Sequence, residues 1–450
     1  MSQANRSRFD GPAGRTKRPA GLFCALALTA LSGGLAVPAP AVAQQSELAA
    51  ASGAVERFQV SRFDRLSWAS PDGIAAAERL VMLLDSAPLD GIDPSQLKIR
   101  QAQKALRGLY SDGPSAERAE IALSDAFVGY VRALRGFDPR SAGWQINDPE
   151  LAPRAPSADK ILSEAAAQPS LAAYVERMGW MHPSYAELRR ALVLAERQDD
   201  ERQAEVLRAN LSRVRLLPGE GDGRYVLVNT AAQRLYMVEN GRVVDSMKVV
   251  VGKPAQPTPM LAAMIRFTAL NPYWNVPPDL AAERIAPNVV KEGQGYLVHQ
   301  GYVVLSDWSD KATTVDPSGI DWAKVASGEV ELRVRQEPGP ANAMGRMKFM
   351  FPNPTGVYLH DTPNKELLAE EARLFSGGCV RLEAAPRLAE WLYGTPLQWK
   401  GAKVEQKVDL TTPVPVYLAY LTAVPDGDSV VYFDDVYHRD GTAPTSLAAR

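Results

Sequence analysis

The sequence predicts an α+β chain: a helical region first, a mainly β region after it, and a long insertion within the β region. Three observations carry this. Apolar residues recur at helical spacing from about Val55 to Leu216. At Arg224 the period shortens to two, and runs rich in β-branched residues begin. From Asn271 to Gly345 the strands are interrupted by a mixed stretch with proline-rich and glycine-rich ends and several aromatic residues.

The composition is that of an ordinary globular protein, with 46% hydrophobic and 23% charged residues. At 450 residues the chain has room for two or three domains of ~150 residues each. A net charge of −2 without a basic stripe excludes a nucleic-acid partner. His182, His299, His360 and His438 are too scattered to build a zinc site with one cysteine, so no metal is expected. No phosphate-binding glycine loop, dinucleotide fingerprint or calcium loop is present, so no cofactor is expected either.

The N-terminus reads as a signal peptide over residues 1–43. Arg15, Lys17 and Arg18 form a charged region, Gly21 to Val37 an apolar one, and Ala41-Val42-Ala43 a small-residue cleavage site before Gln44. The expected location is therefore the periplasm, with an N-terminal membrane anchor as the alternative if the leader is retained. Leu22-Phe23 before Cys24 is not a lipobox, and there is no twin arginine. Removal of the leader leaves Cys379 alone. It cannot form an internal disulfide, and a free thiol in an oxidising compartment is a liability unless it is used.

In chain order, 44–54 is a tether and 55–221 a helical scaffold. Ala75 to Leu84 is helical and is ended by Pro88 and Gly91. Leu123, Phe127, Val131 and Leu134 mark a second helix, and Ser184 with Glu187 reads as a capping box opening a third through Leu194. Asp199-Asp200-Glu201 is a solvated turn or helix face. A long helix then runs through Leu207 and Leu211 to the break at Pro218-Gly219-Glu220-Gly221. Residues 222–440 form the β-rich domain. Tyr225 to Val228 and Arg234 to Val238 are strands, and Asn240-Gly241 turns into a return strand over Val243 to Val251. Ile265 to Leu270 is another strand. Residues 271–345 are long for a loop, which suggests a lid over a site; the alternative is an independently packed subdomain. That stretch has a helix at Asp279–Ile285. Arg346 to Met350 and Val357 to His360 are core strands, Lys365 to Leu374 is helical, and Ala384 to Tyr393 is a helix stopped by Gly394. Val414 to Ala423 and Val430 to Phe433 are the last strands, and 441–450 is a tail, disordered from about Asp440.

The chemistry concentrates between Gly356 and Leu382. His360 ends an apolar strand, and Asp361-Thr362-Pro363 turns sharply after it, which would expose the ring at a sheet edge. Cys379 sits in the turn Ser376-Gly-Gly-Cys379-Val-Arg381, too polar and flexible for a core strand. A thiol needs a base to take its proton, and a neutral imidazole is the usual one. Gly377 and Gly378 free the backbone so that its N–H groups can face a developing oxyanion. Arg381 supplies a fixed positive charge for a substrate carboxylate or carbonyl. The helix from Ala384 points its N-terminus towards the turn, a modest aid to a thiolate. His299 and His438 are assigned structural roles. The residues alone thus read as an exported thiol acyl-transfer enzyme.

His360 with Ser376-Gly-Gly-Cys379-Val-Arg381 resembles the signature of the L,D-transpeptidases, the YkuD-type catalytic domain. A wider likeness is to the large capped Gram-negative (YcbB-like) subtype. It rests on Trp274-Asn-Val-Pro-Pro278, Pro338-Gly-Pro-Ala-Asn-Ala-Met-Gly345, Lys348-Phe-Met-Phe-Pro-Asn353, Tyr358-Leu-His-Asp-Thr-Pro363 and Asp434-Asp435-Val-Tyr437, in order over about residues 222–440. That subtype's small peptidoglycan-binding module has no counterpart between Met181 and Leu217. The resemblance implies a β-sandwich-like catalytic domain with a lid on a helical scaffold. It implies Cys379 as nucleophile and His360 as general base and acid, oriented by a backbone carbonyl rather than by Asp361. Backbone N–H groups of Gly377, Gly378 and Cys379 would form the oxyanion hole, and Tyr358, Ser376 and Arg381 would contact substrate or brace the turn. The implied partners are peptidoglycan stem peptides and, through the helical half, other cell-wall synthases. The implied reaction is attack on meso-diaminopimelate of a tetrapeptide stem, loss of D-alanine, and cross-linking through a second stem's amine, with sensitivity to carbapenems. Two alternatives remain: an L,D-carboxypeptidase hydrolysing the same thioester, and a non-catalytic wall-binding scaffold.

Overall fold

Helices come first because the apolar spacing demands them. The computed structural model describes residues 53–56, 58, 66–309, 311–398 and 403–442. The expected signal peptide, most of the tether and residues 443–450 lie outside the described residues. The helical part contains α1 (Pro71–Asp85), α2 (Ile99–Gly108), α3 (Pro114–Arg135), α4 (Ala158–Ala166), α5 (Leu171–Glu176), α6 (Ser184–Arg197) and α7 (Glu201–Val214). Ser70 caps α1 by accepting the Gly73 N–H, and Asp72 in its first turn accepts from Ser170 Oγ and Leu171 N, tying α1 to the start of α5. Phe127 and Trp180 meet edge to face at 5.1 Å inside this layer.

One helix boundary here differs from the sequence reading. Ser184 is not a cap: it lies inside α6, whose N-cap is Pro183, and its N–H goes to His182 Nδ1 at 3.2 Å. The turn expected at Asp199-Asp200-Glu201 and the helix expected through Leu207 and Leu211 are both present. Asp199 takes φ +54°, which breaks the chain, and Asp200 caps α7 through the Gln203 N–H.

The β part closes on itself. Its strands are β2 (Arg224–Asn229), β3 (Arg234–Glu239), β4 (Arg242–Gly252), β5 (Leu261–Leu270), β10 (Met347–Met350), β11 (Leu359–His360), β13 (Val380–Leu382) and β14 (Gln406–Ala419). The order β5-β10-β11-β13-β4-β3-β2-β14 returns to β5, because β14 also pairs antiparallel with it. Asn240 and Gly241, both at positive φ, form the β3–β4 hairpin turn. Inside the ring, Val226, Met237, Val249, Leu261, Phe349, Leu359, Val380 and Leu418 are fully buried and pack with Leu388 of α12 (Ala385–Tyr393).

The helical part and the ring share a core. One buried cluster runs from Trp68 and Phe127 through Leu211 to Tyr225, Leu227, Ala262 and Tyr417 on the outer face of the strands. A short strand, β1 (Gln145–Ile146), leaves the helical part and pairs parallel with β5. At the chain's end, β15 (Ala423–Asp426) pairs with β16 (Ser429–Tyr432). Asp440 follows and is ordered: it is buried and accepts from Arg213 Nη1 at 2.7 Å and Thr422 Oγ1 at 3.0 Å. This pairing is why Asp440 does not begin a loose tail.

The insertion has its own core. β6 (Trp274–Val276), β7 (Tyr302–Leu305), β8 (Thr314–Val315) and β9 (Arg333–Gln336) form a sheet in the order β6-β9-β7-β8. Val276, Ile285, Val289, Leu297, Trp322 and Val334 pack beneath it. The expected helix at Asp279–Ile285 is one turn, α8 (Pro278–Leu280), followed by a π-helical turn over Ala281–Ile285 and then α9 (Ala286–Glu292). The segment expected as a helix from Lys365 to Leu374 is a 3₁₀ turn over Lys365–Leu368 and then β12 (Leu374–Ser376). Pairing overrides composition here: β12 adds in parallel to β4, and Arg373 Nε donates to the Val249 carbonyl.

Candidate active site

Alternation and register place five polar side chains on one face of the ring. β11 and β13 run parallel, with Leu359 opposite Val380 and His360 opposite Arg381. Successive side chains of a strand point to opposite faces. Leu359 and Val380 point into the core, so Tyr358, His360, Cys379 and Arg381 fall on the outer face. β10 pairs antiparallel with β11, with Lys348 opposite His360. Phe349 is in the core, so Lys348 joins the same face. Lys348 was not singled out from the sequence. Its signal was a single lysine in the otherwise apolar run Met347-Lys-Phe-Met350.

His360 is not at a sheet edge. β11 has β10 on one side and β13 on the other, and the residue is only 2% exposed. Asp361 and Thr362 of the following turn are themselves buried. Nδ1 of the ring lies 2.5 Å from the Asp361 carbonyl oxygen. A carbonyl only accepts, so Nδ1 carries the hydrogen and Nε2 keeps its lone pair. The Asp361 carboxylate is turned elsewhere: it accepts from the Arg346 N–H at 2.9 Å and from Lys365 Nζ at 2.8 Å. Gly345, at φ +60°, makes room for it; a Cβ there would come within 2.5 Å of Oδ2. Burial pushes the imidazole pKa down to about 3, and the neighbouring Arg381 charge adds to this against the Asp361 carbonyl bond.

Cys379 is half-buried. Its thiol donates to the Gly356 carbonyl at 3.8 Å, and among the described residues no hydrogen bond joins it to His360. Burial raises the thiol pKa, while the Tyr358 backbone N–H at the sulfur and the Arg381 and Lys348 charges pull the other way. With the imidazole lowered and the thiol raised, the resting pair is a neutral thiol beside a neutral imidazole. The α12 dipole does not change this. β13 carries the chain away from the cysteine for three residues, about 10 Å at strand rise, beyond the reach of a helix-end effect.

The turn before Cys379 is tightly braced. Ser376 is buried; its Oγ donates to the Cys379 carbonyl at 2.6 Å and accepts the Gly378 N–H at 3.1 Å. Gly378 stands at φ +112°, and its carbonyl accepts from Thr258 Oγ1 at 2.8 Å. Because its N–H is engaged by Ser376, Gly378 does not offer the oxyanion contact expected of it in this conformation. The N–H groups of Gly377 and Cys379 meet no acceptor among the described residues. The structure adds two groups that side-chain motifs cannot reveal, the Tyr358 N–H at the sulfur and Thr258 beneath the turn. The Lys348 ammonium sits 5.1 Å over the Tyr358 ring, and burial lowers its pKa. His299 and His438 are exposed and take no part in this face.

Residues 223–416 match the YkuD family, described as the L,D-transpeptidase catalytic domain. The span contains the whole cysteine stretch. This protein carries an L,D-transpeptidase catalytic domain. In it, the matched span opens at the head of β2 and ends within β14, so it takes in every strand of the closed ring. Residues 53–192 match a family described as a scaffold domain, which covers α1 to most of α6. A relative from Haemophilus influenzae (strain ATCC 51907 / DSM 11121 / KW20 / Rd) named "Putative L,D-transpeptidase" is 26% identical over 331 residues, covering 71% of this chain and 66% of that protein. The match thus spans just under two thirds of that relative's length. A solved structure, that of the Ldtfm-avibactam carbamoyl enzyme, is 13% identical, with a TM-score of 0.21 over 45% of this chain and 49% of that one. Clefts of about 350, 620 and 450 Å³ lie against the helical part, and none of the three is lined by His360 or Cys379.

Proposed function

We propose that the protein is a peptidoglycan L,D-transpeptidase in which Cys379 is the nucleophile and His360 the general base and acid. The supporting observation is the shared face of β11 and β13, with the His360 tautomer set by the Asp361 carbonyl so that Nε2 is the basic nitrogen. The acyl donor is a tetrapeptide stem. Cys379 Sγ attacks the meso-diaminopimelate carbonyl that bears D-alanine, and the thiol proton passes to His360 Nε2. For this the thiol rotates from the Gly356 carbonyl towards the ring, since catalytic hydrogen bonds often close only once substrate is bound. The oxyanion is held by the N–H groups of Cys379 and Gly377, which have no other acceptor among the described residues. Collapse expels D-alanine, whose nitrogen takes the proton back from His360. The thioester is then attacked by the amine of a second stem, which gives its proton to His360, and the cross-link forms as the thiol is restored.

Tyr358 and Arg381 contact the donor, and Ser376 holds the turn. The separately cored insertion supports the capped subtype, in which it is the lid. On this reading the protein is exported to the periplasm, acts with other cell-wall synthases through its helical half, and is acylated by carbapenems at Cys379. The test is incubation of the purified protein with disaccharide-tetrapeptides. Cross-linked dimers with equimolar D-alanine are expected. Tripeptides without dimers would make it an L,D-carboxypeptidase, and no product from a folded protein would leave the wall-binding scaffold.

A further inference from the structure

Two arginines stand at the cysteine turn without an acidic partner. Arg381 is half-buried on the reactive face, two residues after the nucleophile. Arg284 is half-buried in the π-helical turn of the insertion. Among the described residues neither side chain makes an ion pair or a hydrogen bond.

The insertion meets the turn at this place. The Leu280 side chain lies 3.4 Å from where a Cβ on Gly377 would stand. Glu283 accepts from Lys253 Nζ at 2.5 Å and Gln256 Nε2 at 3.3 Å, both on the loop beneath the turn. Leu280 and Arg284 are four residues apart and therefore share a helix face, so Arg284 is carried over the same turn. π-turns concentrate at functional sites. Arg381 is lowered in pKa by burial first and by the Arg284 charge second, so the two guanidinium groups repel one another. The oxygens of Glu283, the nearest acid in sequence, are already taken by Lys253 and Gln256. The same seam leaves the buried Gln256 Oε1 without a partner.

We propose that Arg284 and Arg381 together bind one free carboxylate of the acyl donor, so that the insertion contributes a specificity residue to the reaction. This rests on the transpeptidase reading above. A carboxylate offers two oxygens, and a guanidinium presents parallel donors in a fixed fork. One carboxylate between the two arginines satisfies both and removes their repulsion. The two residues that flank the scissile bond each carry such a group: the terminal carboxylate of the leaving D-alanine and the free carboxylate at the far end of diaminopimelate.

The experiment measures acylation of the full chain by three donors: the free tetrapeptide stem, its C-terminal carboxamide, and its diaminopimelate carboxamide. For the wild type, one carboxamide raises KM about 10–100-fold with little change in kcat, the size of a lost charged contact; which one does so identifies the carboxylate. Arg284→Gln raises KM for the free donor by a similar factor and adds no further penalty on that carboxamide. Arg284→Lys recovers only part, because it keeps the charge and loses the fork. Equal KM for all three donors on the wild type overturns the clamp, as does an Arg284→Gln penalty that is the same on all three. A wild type that forms no thioester with any donor overturns the activity itself, which separates the two failures.

Discussion

The helical part holds a half-buried histidine and the catalytic ring a buried one, and the two are held in opposite ways. In the helical part, His182 Nδ1 accepts the Ser184 N–H at the start of α6, so that nitrogen carries the lone pair and serves the helix. In the ring, His360 Nδ1 donates to the Asp361 carbonyl, and the lone pair is on Nε2. Burial lowers both pKa values, to about 4 for His182, with Arg135 adding to it, and to about 3 for His360. A depressed pKa is therefore common to both and marks neither as catalytic. The tautomer and the neighbours separate them. His360 shares its face with a thiol, whereas His182 has only a helix terminus to serve.

The strongest way to break this comparison is to remove each ring. His360→Gln is expected to slow Cys379 acylation about 10³-fold, the scale of a lost general base. His182→Gln is expected to leave the rate per folded molecule within about twofold while lowering the thermal midpoint by a few degrees. Equal rate losses in the two variants would abolish the distinction.

The next effect sets two buried aspartates side by side. Asp90 accepts from Tyr130, Tyr185 and Arg189 at 2.7, 3.0 and 2.9 Å inside the helical part. Asp90→Asn leaves the Arg189 charge unpaired and is expected to cost about 3–5 kcal/mol, read as a drop in urea midpoint. The shared core predicts that both parts unfold in one transition. Asp361→Asn is expected to cost about 1–3 kcal/mol, since its partners Lys365 and the Arg346 N–H are less enclosed. It should slow acylation less than tenfold, because the carbonyl and not the carboxylate orients His360. A 10³-fold loss would instead make Asp361 a member of a triad.

A further effect is on pH. Both histidines bind their proton more weakly when folded than a free imidazole side chain, whose pKa is about 6.5. As pH falls below about 6.5 the unfolded chain takes up protons that the folded chain refuses, so stability is present above that pH and declines towards pH 4 and 3. The urea midpoint measured from pH 7 to 4.5 should fall, and His360→Gln should flatten the slope. A midpoint that rises on acidification would contradict both assignments.

Much of this was legible in the sequence. The 3.6-residue spacing of Leu123, Phe127, Val131 and Leu134 and the two-residue alternation around Tyr225 and Leu235 are local signals, and the elements formed there. That His360 ends a strand and that Cys379 follows a glycine turn was legible too, because both are local features. What was not legible depends on distant partners. The edge position expected of His360 failed because β10 and β13 close on both sides of β11, a pairing set by residues far off in the chain. The helical composition of Lys365 to Leu374 yielded to β4, and Ser184 lost its cap role to Pro183. The engagement of the Gly378 N–H by Ser376 and the approach of Arg284 to Arg381 are matters of three-dimensional register, for which neighbouring residues give no sign.

On the proposed reading, Cys379, served by His360, takes up an acyl group. Intact-protein mass spectrometry after incubation with meropenem tests it directly, with wild type, Cys379→Ala, His360→Gln and His182→Gln in parallel. One adduct is expected on the wild type and on His182→Gln, a strongly slowed adduct on His360→Gln, and none on Cys379→Ala. An adduct of the same mass and rate on Cys379→Ala, or none on a folded wild type, would contradict it.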